Sequence, residues 1–135
     1  MEFKEKTLDS QMMYDGRIIK VYKDNVELAD GKKSFREVVR HSGGVVILAI
    51  KDYDKILLVK QYRYPIGETV LELPAGKLEK GEDPFEAAKR ELEEETGYCA
   101  NKWTDLGYIN TSPGFSDEKL YLYLAQDLEY THCHP

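Results

Sequence analysis

The sequence of 135 residues predicts an α/β fold preceded by an amino-terminal antiparallel β-meander. Two Asp-Gly pairs between apolar segments predict the meander, several short apolar runs after residue 43 predict further strands, and one capped amphipathic segment predicts a helix. A domain of this length can bury about two thirds of the surface that its unfolded chain exposes. It therefore needs neither disulfides nor a structural metal to hold a core.

The meander, residues 1–43, is predicted from its turns. Asp15-Gly16 and Asp30-Gly31 are each flanked by segments with apolar and β-branched residues. An Asp-Gly pair in this setting is a strong short-range sign of a β-hairpin. Three consecutive antiparallel strands are therefore expected here.

The remaining residues, 44–135, are expected to form the core. Three short apolar runs are typical of strands that are buried on both faces. Two later segments also have the pattern of strands. The three runs are 44–50, 55–62 and 69–73, and the two later segments are 103–109 and 119–125.

One helix is expected over residues 84–96. Asp83 is placed to cap its amino end, Pro84 suits the first helical position, and Gly97 supplies the C-terminal stop. At about 100° per residue, one apolar stripe of this helix carries Phe85, Ala88 and Leu92. This stripe is expected to pack on the sheet.

The composition excludes several classes of protein. A net charge of -6, from 25 acidic and 19 basic side chains, argues against binding to the phosphate backbone of nucleic acid. The longest apolar run, 45–50, is far shorter than the roughly 20 residues that span a bilayer, and the amino terminus lacks a secretory signal. Because Cys99 and Cys133 are isolated, a reduced, cytoplasmic protein is expected. The terminal residues 132–134, His-Cys-His, are expected to be a frayed end, since three neighbouring ligands cannot readily surround one ion.

Glutamates crowd the carboxyl end of the expected helix, where the helix dipole disfavours each anion by roughly 0.3 to 1 kcal/mol. Glu91 and Glu95 lie one turn apart and Glu94 flanks them, so partly buried carboxylates would gather there. Such a cluster is unfavourable unless a cation accompanies it. The alternative is a solvated acidic face on which Lys89 and Glu93 form an ion pair. Oxygen ligands from glutamates and from loop carbonyls suit a hard cation such as Mg²⁺ or Mn²⁺.

This loop and helix resemble the signature of the Nudix hydrolases, Gly-x5-Glu-x7-Arg-Glu-U-x-Glu-Glu-x-Gly-U, in which U is aliphatic. The matching residues are Gly76, Glu82, Arg90, Glu91, Leu92, Glu94, Glu95 and Gly97. The last position departs, because Tyr98 stands where the signature has an aliphatic residue. The resemblance implies an α/β/α sandwich built on a mixed sheet. It also implies metal-dependent hydrolysis of a nucleoside diphosphate that is linked to another moiety.

The resemblance implies roles at the matching positions. Glu91 and Glu95 would be the main metal ligands. Glu94 would be a further ligand or would position the water, and Ala75 would contribute its backbone carbonyl. Arg90 would orient the glutamates through charge-assisted contacts. The supporting residues would be Gly76, Gly97 and Glu82, the last of them holding the loop or binding metal through water.

Two further stretches, residues 60–76 and 112–118, resemble the ADP-ribose pyrophosphatase branch of this family. The resemblance implies that Arg63 binds pyrophosphate oxygens through its planar guanidinium. The alternative for Arg63 is an ion pair with Glu68 or Glu72.

Other substrate contacts are expected outside the signature. Pro113 follows the signature at about the distance where this branch typically carries a proline, and Glu118 lies in the same turn-rich segment. Arg36 and Arg40 are spaced so that both lie on one face of the third strand, with a solvated strand as the alternative for each.

Enzymes of this branch are usually homodimers in which an amino-terminal hairpin reaches the partner's active site, so residues 1–43 are expected to be a dimerisation element. The branch also typically continues beyond this length through a loop with another catalytic glutamate and a closing helix, which this chain is expected to lack. The general base would then be Glu94, Asp117 or Glu118, unless the metal alone activates water.

The sequence therefore predicts a Mg²⁺-dependent enzyme, with Mn²⁺ as the other ion considered. It would cleave ADP-ribose, or a closely related nucleoside diphosphate sugar, to AMP and a sugar phosphate. One alternative is a Nudix hydrolase of nucleoside triphosphates. The other is a Nudix-fold sensor that binds a nucleotide without turnover.

Overall fold

A computed structural model describes residues 3–131 of the chain. The predicted frayed end, with Cys133, lies outside these residues. By their internal contacts these residues divide into two units, one formed by residues 3–42 with 110–118, the other by 43–109 with 119–131.

The amino-terminal unit is built on a three-stranded antiparallel sheet in the order β1-β2-β3. Its strands are β1 (Lys6–Asp15), β2 (Ile19–Glu27) and β3 (Lys33–His41). Both predicted hairpins are present. In the second turn Gly31 has a φ of 86° and donates its N–H to the carbonyl of Leu28 at 2.9 Å, a backbone conformation that glycine adopts without strain. The meander is thus confirmed.

Residues 110–118 belong to this first unit, although the sequence assigned them to the core. The N–H of Val39 donates to the carbonyl of Phe115 at 2.7 Å, and the N–H of Asp117 donates to the carbonyl of Val39 at 3.1 Å. Ser116 also forms a parallel bridge with Val39. The free edge of β3 therefore holds this segment, and such long-range backbone pairing leaves no local pattern in the sequence.

The second unit contains a mixed sheet in the order β5-β4-β10-β9, with β8 paired to β4. Strand β10 runs parallel to β4, whereas β5 and β8 run antiparallel to it. Strands β6 and β7 form a separate antiparallel hairpin around a short 3-10 helix, Tyr64–Ile66. The strands are β4 (Gly44–Lys51), β5 (Lys55–Ile56), β6 (Val59–Arg63), β7 (Glu68–Glu72), β8 (Ala75–Lys77), β9 (Tyr98–Asn110) and β10 (Lys119–Tyr130).

The prediction of strands that are buried on both faces holds only for β4. The expected strand over 55–62 is divided between β5 and β6, and most side chains of β6 and β7 are exposed. Strand β8 forms where a loop was expected, because three residues there pair with the start of β4. A strand this short is held by its partner and not by its own β-propensity.

Helix α1, Pro84–Thr96, begins and ends where the sequence predicted. The Asp83 carboxylate accepts from the N–H of Glu86 at 3.0 Å, and Gly97, with a φ of 78°, donates its N–H to the carbonyl of Glu93 at 2.9 Å. The apolar stripe packs on the mixed sheet, as expected. Its buried contacts join Ala87, Ala88 and Leu92 of α1 to Val45, Ile47, Ala49, Leu78, Tyr123 and Ala125.

Within residues 3–131, α1 is the only α-helix. No helix of this part of the chain has the length and apolar character that crossing a membrane requires. The packing of α1 on β4 brings its last two turns, which carry the glutamates, alongside β8.

Candidate active site

The carboxylate of Glu91 lies against β8 because residue 76 has no side chain. A Cβ at Gly76 would be 2.1 Å from Cδ of Glu91 and 2.4 Å from its Oε1. The Glu91 side chain is only 14% exposed, and this burial raises its pKa in spite of the opposing charge of Arg90. The glycine of the signature thus provides the space that the Glu91 carboxylate occupies.

Glu95, one turn further along α1, faces the same strand. The backbone N–H of Ala75 donates to its carboxylate. Burial raises the pKa of Glu95, the negative charge of Glu91 raises it further, and the Ala75 hydrogen bond and the charge of Arg63 oppose these effects. Two partly buried carboxylates therefore repel each other beside β8, an arrangement that a bound cation would relieve.

Arg90 joins three of the signature glutamates. Its Nη2 donates to Oε2 of Glu82 at 2.9 Å, and its Nη1 donates to Oε1 of Glu91 at 3.0 Å and lies 3.3 Å from Oε2 of Glu94. Glu82 also accepts from the N–H of Glu79 at 3.0 Å, and this bond, followed by the Arg90 contact, lowers the pKa of Glu82. Arg90 therefore links the helix to the loop that precedes it. Its role as the residue that orients the glutamates stays a prediction.

Arg63 makes the ion pair that was its alternative interpretation. Its Nε and Nη2 donate to the two carboxylate oxygens of Glu72 at 2.7 and 2.5 Å. The hydrogen bond from Arg63 holds the pKa of Glu72 below its ordinary value. Arg63 lies opposite Glu68 in the strand register, yet it pairs with Glu72. A substrate phosphate would have to share this guanidinium with Glu72 or displace it.

The two other arginines named as substrate contacts belong to the amino-terminal unit, and both are in ion pairs. Arg36 donates from Nε and Nη2 to the carboxylate of Glu5, each at 2.9 Å. Arg40 lies 3.4 Å from a carboxylate oxygen of Asp117. Their proposed contacts with substrate stay predictions.

Glu118 and Pro113 lie in the turn segment of the same unit. Glu118 accepts from the hydroxyl of Thr111 at 2.6 Å, and its other oxygen is 3.5 Å from Nδ1 of His41. Pro113 is exposed. Glu118 therefore makes contacts that hold its own loop. Sequence reasoning missed them because a side-chain partner such as His41 on β3 is remote in the sequence and leaves no local pattern.

The side chains beside β8 are of the chemical type that binds a hard divalent cation. The donors are carboxylate and backbone oxygens, and burial raises the pKa of both Glu91 and Glu95, a cost that a bound cation would offset. Within residues 3–131 the side chains do not gather three or more metal ligands at one point. Glu91 and Glu95 converge, whereas Glu94 is 57% exposed and lies next to Arg90.

Known domain families match nearly all of the chain. Residues 40–132 match the model of the NUDIX domain, and residues 5–39 match the nucleoside diphosphate sugar hydrolase N-terminal domain. A crystal structure of an ADP compounds hydrolase superposes with a TM-score of 0.84 at 27% identity, covering 98% of this chain and 72% of that one. This agreement confirms the predicted fold class.

Two relatives are particularly similar in sequence. An ADP-ribose pyrophosphatase of Bacillus subtilis is 51% identical over 124 residues, which are 92% of this chain and 67% of that protein. A methanol dehydrogenase activator of Bacillus methanolicus is 50% identical over 126 residues, which are 93% of this chain and 68% of that protein. The chain thus spans about two thirds of the length of these relatives. With the signature on β8 and α1 and a domain match over most of its length, the chain belongs to the Nudix hydrolase family.

Proposed function

We propose that this enzyme hydrolyses the pyrophosphate bond of ADP-ribose, or of a closely related nucleoside diphosphate sugar, to AMP and a sugar phosphate. The observation that carries the proposal is the convergence of Glu91 and Glu95 on β8, where burial raises the pKa of both carboxyls and the charge of Glu91 raises that of Glu95 further. The similarity to an ADP-ribose pyrophosphatase over 92% of the chain supports the choice of substrate.

The metal that we propose is Mg²⁺, held by the carboxylates of Glu91 and Glu95, with the carbonyl of Ala75 as a further ligand. A pyrophosphate diester brings about two negative charges to carboxylates that already repel each other, so its binding requires cations. When bound, the ion would neutralise phosphate charge and activate a water molecule for attack on phosphorus.

The protein groups around this site would position the reaction. Arg90, with contacts to Glu82 and Glu91, would fix the carboxylate of Glu91. We also propose Glu94 as the general base, because it is the most exposed of the signature glutamates on the last turns and its contacts with Arg90 are long, at 3.3 and 3.5 Å. The other candidates are more firmly engaged, since Asp117 accepts from the N–H of His41 at 2.9 Å and contacts Arg40.

The amino-terminal unit supports a proposal of homodimerisation. Among the described residues of this unit, only Asp24 and Val26 are buried. Because burial of apolar surface is the main favourable contribution to folding, a sheet with so few buried side chains would gain stability from a partner that covers it. Its exposed apolar side chains are those of Phe3, Leu8, Met12, Met13, Tyr14, Ile18, Phe35 and Phe115. A second copy of the chain would cover part of this surface. We place the enzyme in the cytoplasm, because the sequence has only two cysteines and these are far apart in the chain.

A substrate panel tests the proposed activity. ADP-ribose, NADH, sugar nucleotides and nucleoside triphosphates are incubated separately with the protein and Mg²⁺, and products are separated by anion-exchange chromatography. We expect AMP and a sugar phosphate from ADP-ribose at the highest kcat/KM. Turnover of nucleoside triphosphates alone would overturn the substrate assignment. Nucleotide binding with no product from any substrate would favour the sensor.

A further inference from the structure

The ion pair between Arg63 and Glu72 reaches along the β6–β7 hairpin and not directly across it. In the strand register Arg63 lies opposite Glu68, whereas Glu72 lies opposite Val59, four residues earlier on β6. At about 3.3 Å per residue, Arg63 and Glu72 are therefore about 13 Å apart along the strands. The even spacing within each strand puts all four side chains on one face of the hairpin. The guanidinium of Arg63 thus lies away from the turn and toward the end of β7.

This end of β7 is close to the acidic site. Glu72 precedes Ala75 by three residues, and the N–H of Ala75 donates to the carboxylate of Glu95. The positive charge of Arg63 lowers the pKa of Glu95, and the negative charge of Glu72 raises it. Nearby charges shift a pKa in this way. The guanidinium therefore lies within electrostatic range of a carboxylate that we propose as a metal ligand, and all of these residues belong to the second unit.

The contact with Glu72 uses one edge of the guanidinium and leaves another open. Nε and Nη2 donate to the two carboxylate oxygens of Glu72. Within residues 3–131, no acceptor is hydrogen-bonded to the other edge, which is formed by Nη1 and the second N–H of Nη2. Since arginine has five N–H donors in a rigid plane, this second edge can donate two parallel hydrogen bonds to a phosphate while the first stays on Glu72.

A purely structural role for the ion pair does not explain this arrangement. The side chains of Arg63 and Glu72 are 48% and 26% exposed, and ion pairs at such positions contribute little to stability. Holding a long arginine side chain in one extended conformation also costs conformational entropy. Glu68 offers a carboxylate directly opposite Arg63. Stability alone therefore gives no reason for the choice of Glu72 over Glu68.

We propose that Glu72 is a positioning residue, which holds the guanidinium of Arg63 so that its second edge donates to the pyrophosphate of the substrate. Nε and Nη2 stay on Glu72 in the complex. The negative charge of Glu72 is then compensated by Arg63 and does not repel the phosphate. This inference rests on the proposed hydrolysis of a nucleoside diphosphate sugar and adds to it a residue outside the family signature.

Steady-state kinetics of the whole chain with ADP-ribose and Mg²⁺ test the proposal. Glu72→Ala should raise KM about fivefold and leave kcat within about twofold, because the released Arg63 side chain must be ordered again when substrate binds. Glu68→Ala is the matched control, since it removes the carboxylate opposite Arg63, and it should leave KM unchanged. A lower KM in Glu72→Ala would overturn the proposal, because Glu72 would then compete with the phosphate. Equal rises in KM for the two variants would overturn it as well.

Two further comparisons separate positioning from a general effect of charge. Glu72→Gln keeps the length of the side chain and one acceptor oxygen, so it should recover part of the affinity that Glu72→Ala loses. Glu72→Asp keeps the charge but is shorter by one methylene, so it should resemble Glu72→Ala. In an Arg63→Met background, Glu72→Ala should cause no further rise in KM. Effects that add in this double variant would contradict the proposal.

Binding of the α,β-methylene analogue of ADP-ribose, which has a carbon in place of the bridging oxygen, provides a measurement that does not depend on turnover. By isothermal titration calorimetry with Mg²⁺, Glu72→Ala should bind this analogue about fivefold more weakly than the wild type. If ADP-ribose is not hydrolysed, the proposed function is wrong, yet this difference still supports the role of Glu72 and equal affinities overturn it. No binding to the wild type would contradict both proposals.

NMR of the arginine side chain tests the orientation directly. The ¹⁵N–¹H signal of Nε of Arg63, assigned by its absence in Arg63→Met, should stay close to its position when the wild type binds the analogue, because Glu72 remains its acceptor. The same signal should move in Glu72→Ala without any ligand. A signal that moves on binding to the position seen in Glu72→Ala would show that the phosphate displaces Glu72, and would overturn the proposal.

Discussion

Replacement of Gly76 by alanine displaces the carboxylate of Glu91 without removing any group from the protein. The new Cβ would be 2.1 Å from Cδ of Glu91, whereas an ordinary contact begins near 3.4 Å. The Glu91 carboxylate must therefore move by more than about 1 Å. Because the clashing atoms are the end of a flexible side chain, the backbone of β8 can stay in place.

The two consequences of this movement differ in size. A misplacement of about 1 Å at a reacting centre can lower the rate about 100-fold, which corresponds to about 2.7 kcal/mol in the activation barrier. Stability should change little or rise by about 0.4 to 1 kcal/mol, because alanine restricts the unfolded chain and Gly76 is not among the glycines with positive φ. Gly76→Ala is thus expected to separate activity from folding.

The assay combines kcat for ADP-ribose, measured with saturating Mg²⁺, with the free energy of unfolding in urea. A double-mutant cycle with Glu91→Gln provides the control. Since alanine at residue 76 acts through Glu91, it should cause little further loss in the Glu91→Gln background. Full wild-type kcat in Gly76→Ala, or losses that add in the double variant, would refute this reasoning.

Three further predictions concern charge and assembly. Burial raises the pKa of Glu91, so its charged form destabilises the metal-free fold above that raised pKa but not below the ordinary value of 4.5. Glu91→Gln should therefore raise the Tm of the metal-free protein at about pH 7 and leave it unchanged below about pH 4, as measured by calorimetry. If the variant and the wild type have equal Tm values at both pH values, this prediction is contradicted. Arg63→Lys should raise KM for ADP-ribose about tenfold with little change in kcat, because lysine cannot donate two parallel hydrogen bonds to a phosphate group. An unchanged KM would show that Arg63 contacts Glu72 and not the substrate. Met13→Asp should lower the sedimentation coefficient toward that of a monomer, whereas Tyr64→Asp, at an exposed position of the other unit, should not. If both variants remain dimers, the interface lies elsewhere.

The parts of the structure that the sequence predicted well are those that local chemistry determines. The helix begins after Asp83 and ends at Gly97 because a side-chain cap and a left-handed glycine act within one turn of the chain. The Asp-Gly turns fix the meander in the same way. The spacing of the glutamates on α1 likewise determines that Glu91 and Glu95 share one side of the helix.

The parts that the sequence could not predict depend on distant partners. Strand β8 exists only through its pairing with β4, and residues 110–118 join the first unit through contacts with Val39, Arg40 and His41 of β3. Arg63 had two possible partners, and it pairs with Glu72 although Glu68 is the residue opposite it in the register of the β6–β7 hairpin. No local pattern in the sequence indicates this choice. The contact of Gly76 with Glu91 could not be predicted either, because the signature gives the residue types but not the fact that Gly76 leaves space for the side chain of Glu91.

The most direct test of the central claim is ³¹P NMR of ADP-ribose with Mg²⁺ and either the wild-type protein or Glu95→Gln. We predict that the wild type replaces the pyrophosphate signals with those of AMP and a sugar phosphate. Glu95→Gln should be slower by about 100-fold or more while remaining folded, and EDTA should stop the wild-type reaction. Equal rates for the two proteins, or an unchanged rate in EDTA, would contradict the proposal that Glu95 and Glu91 hold the metal that drives the reaction.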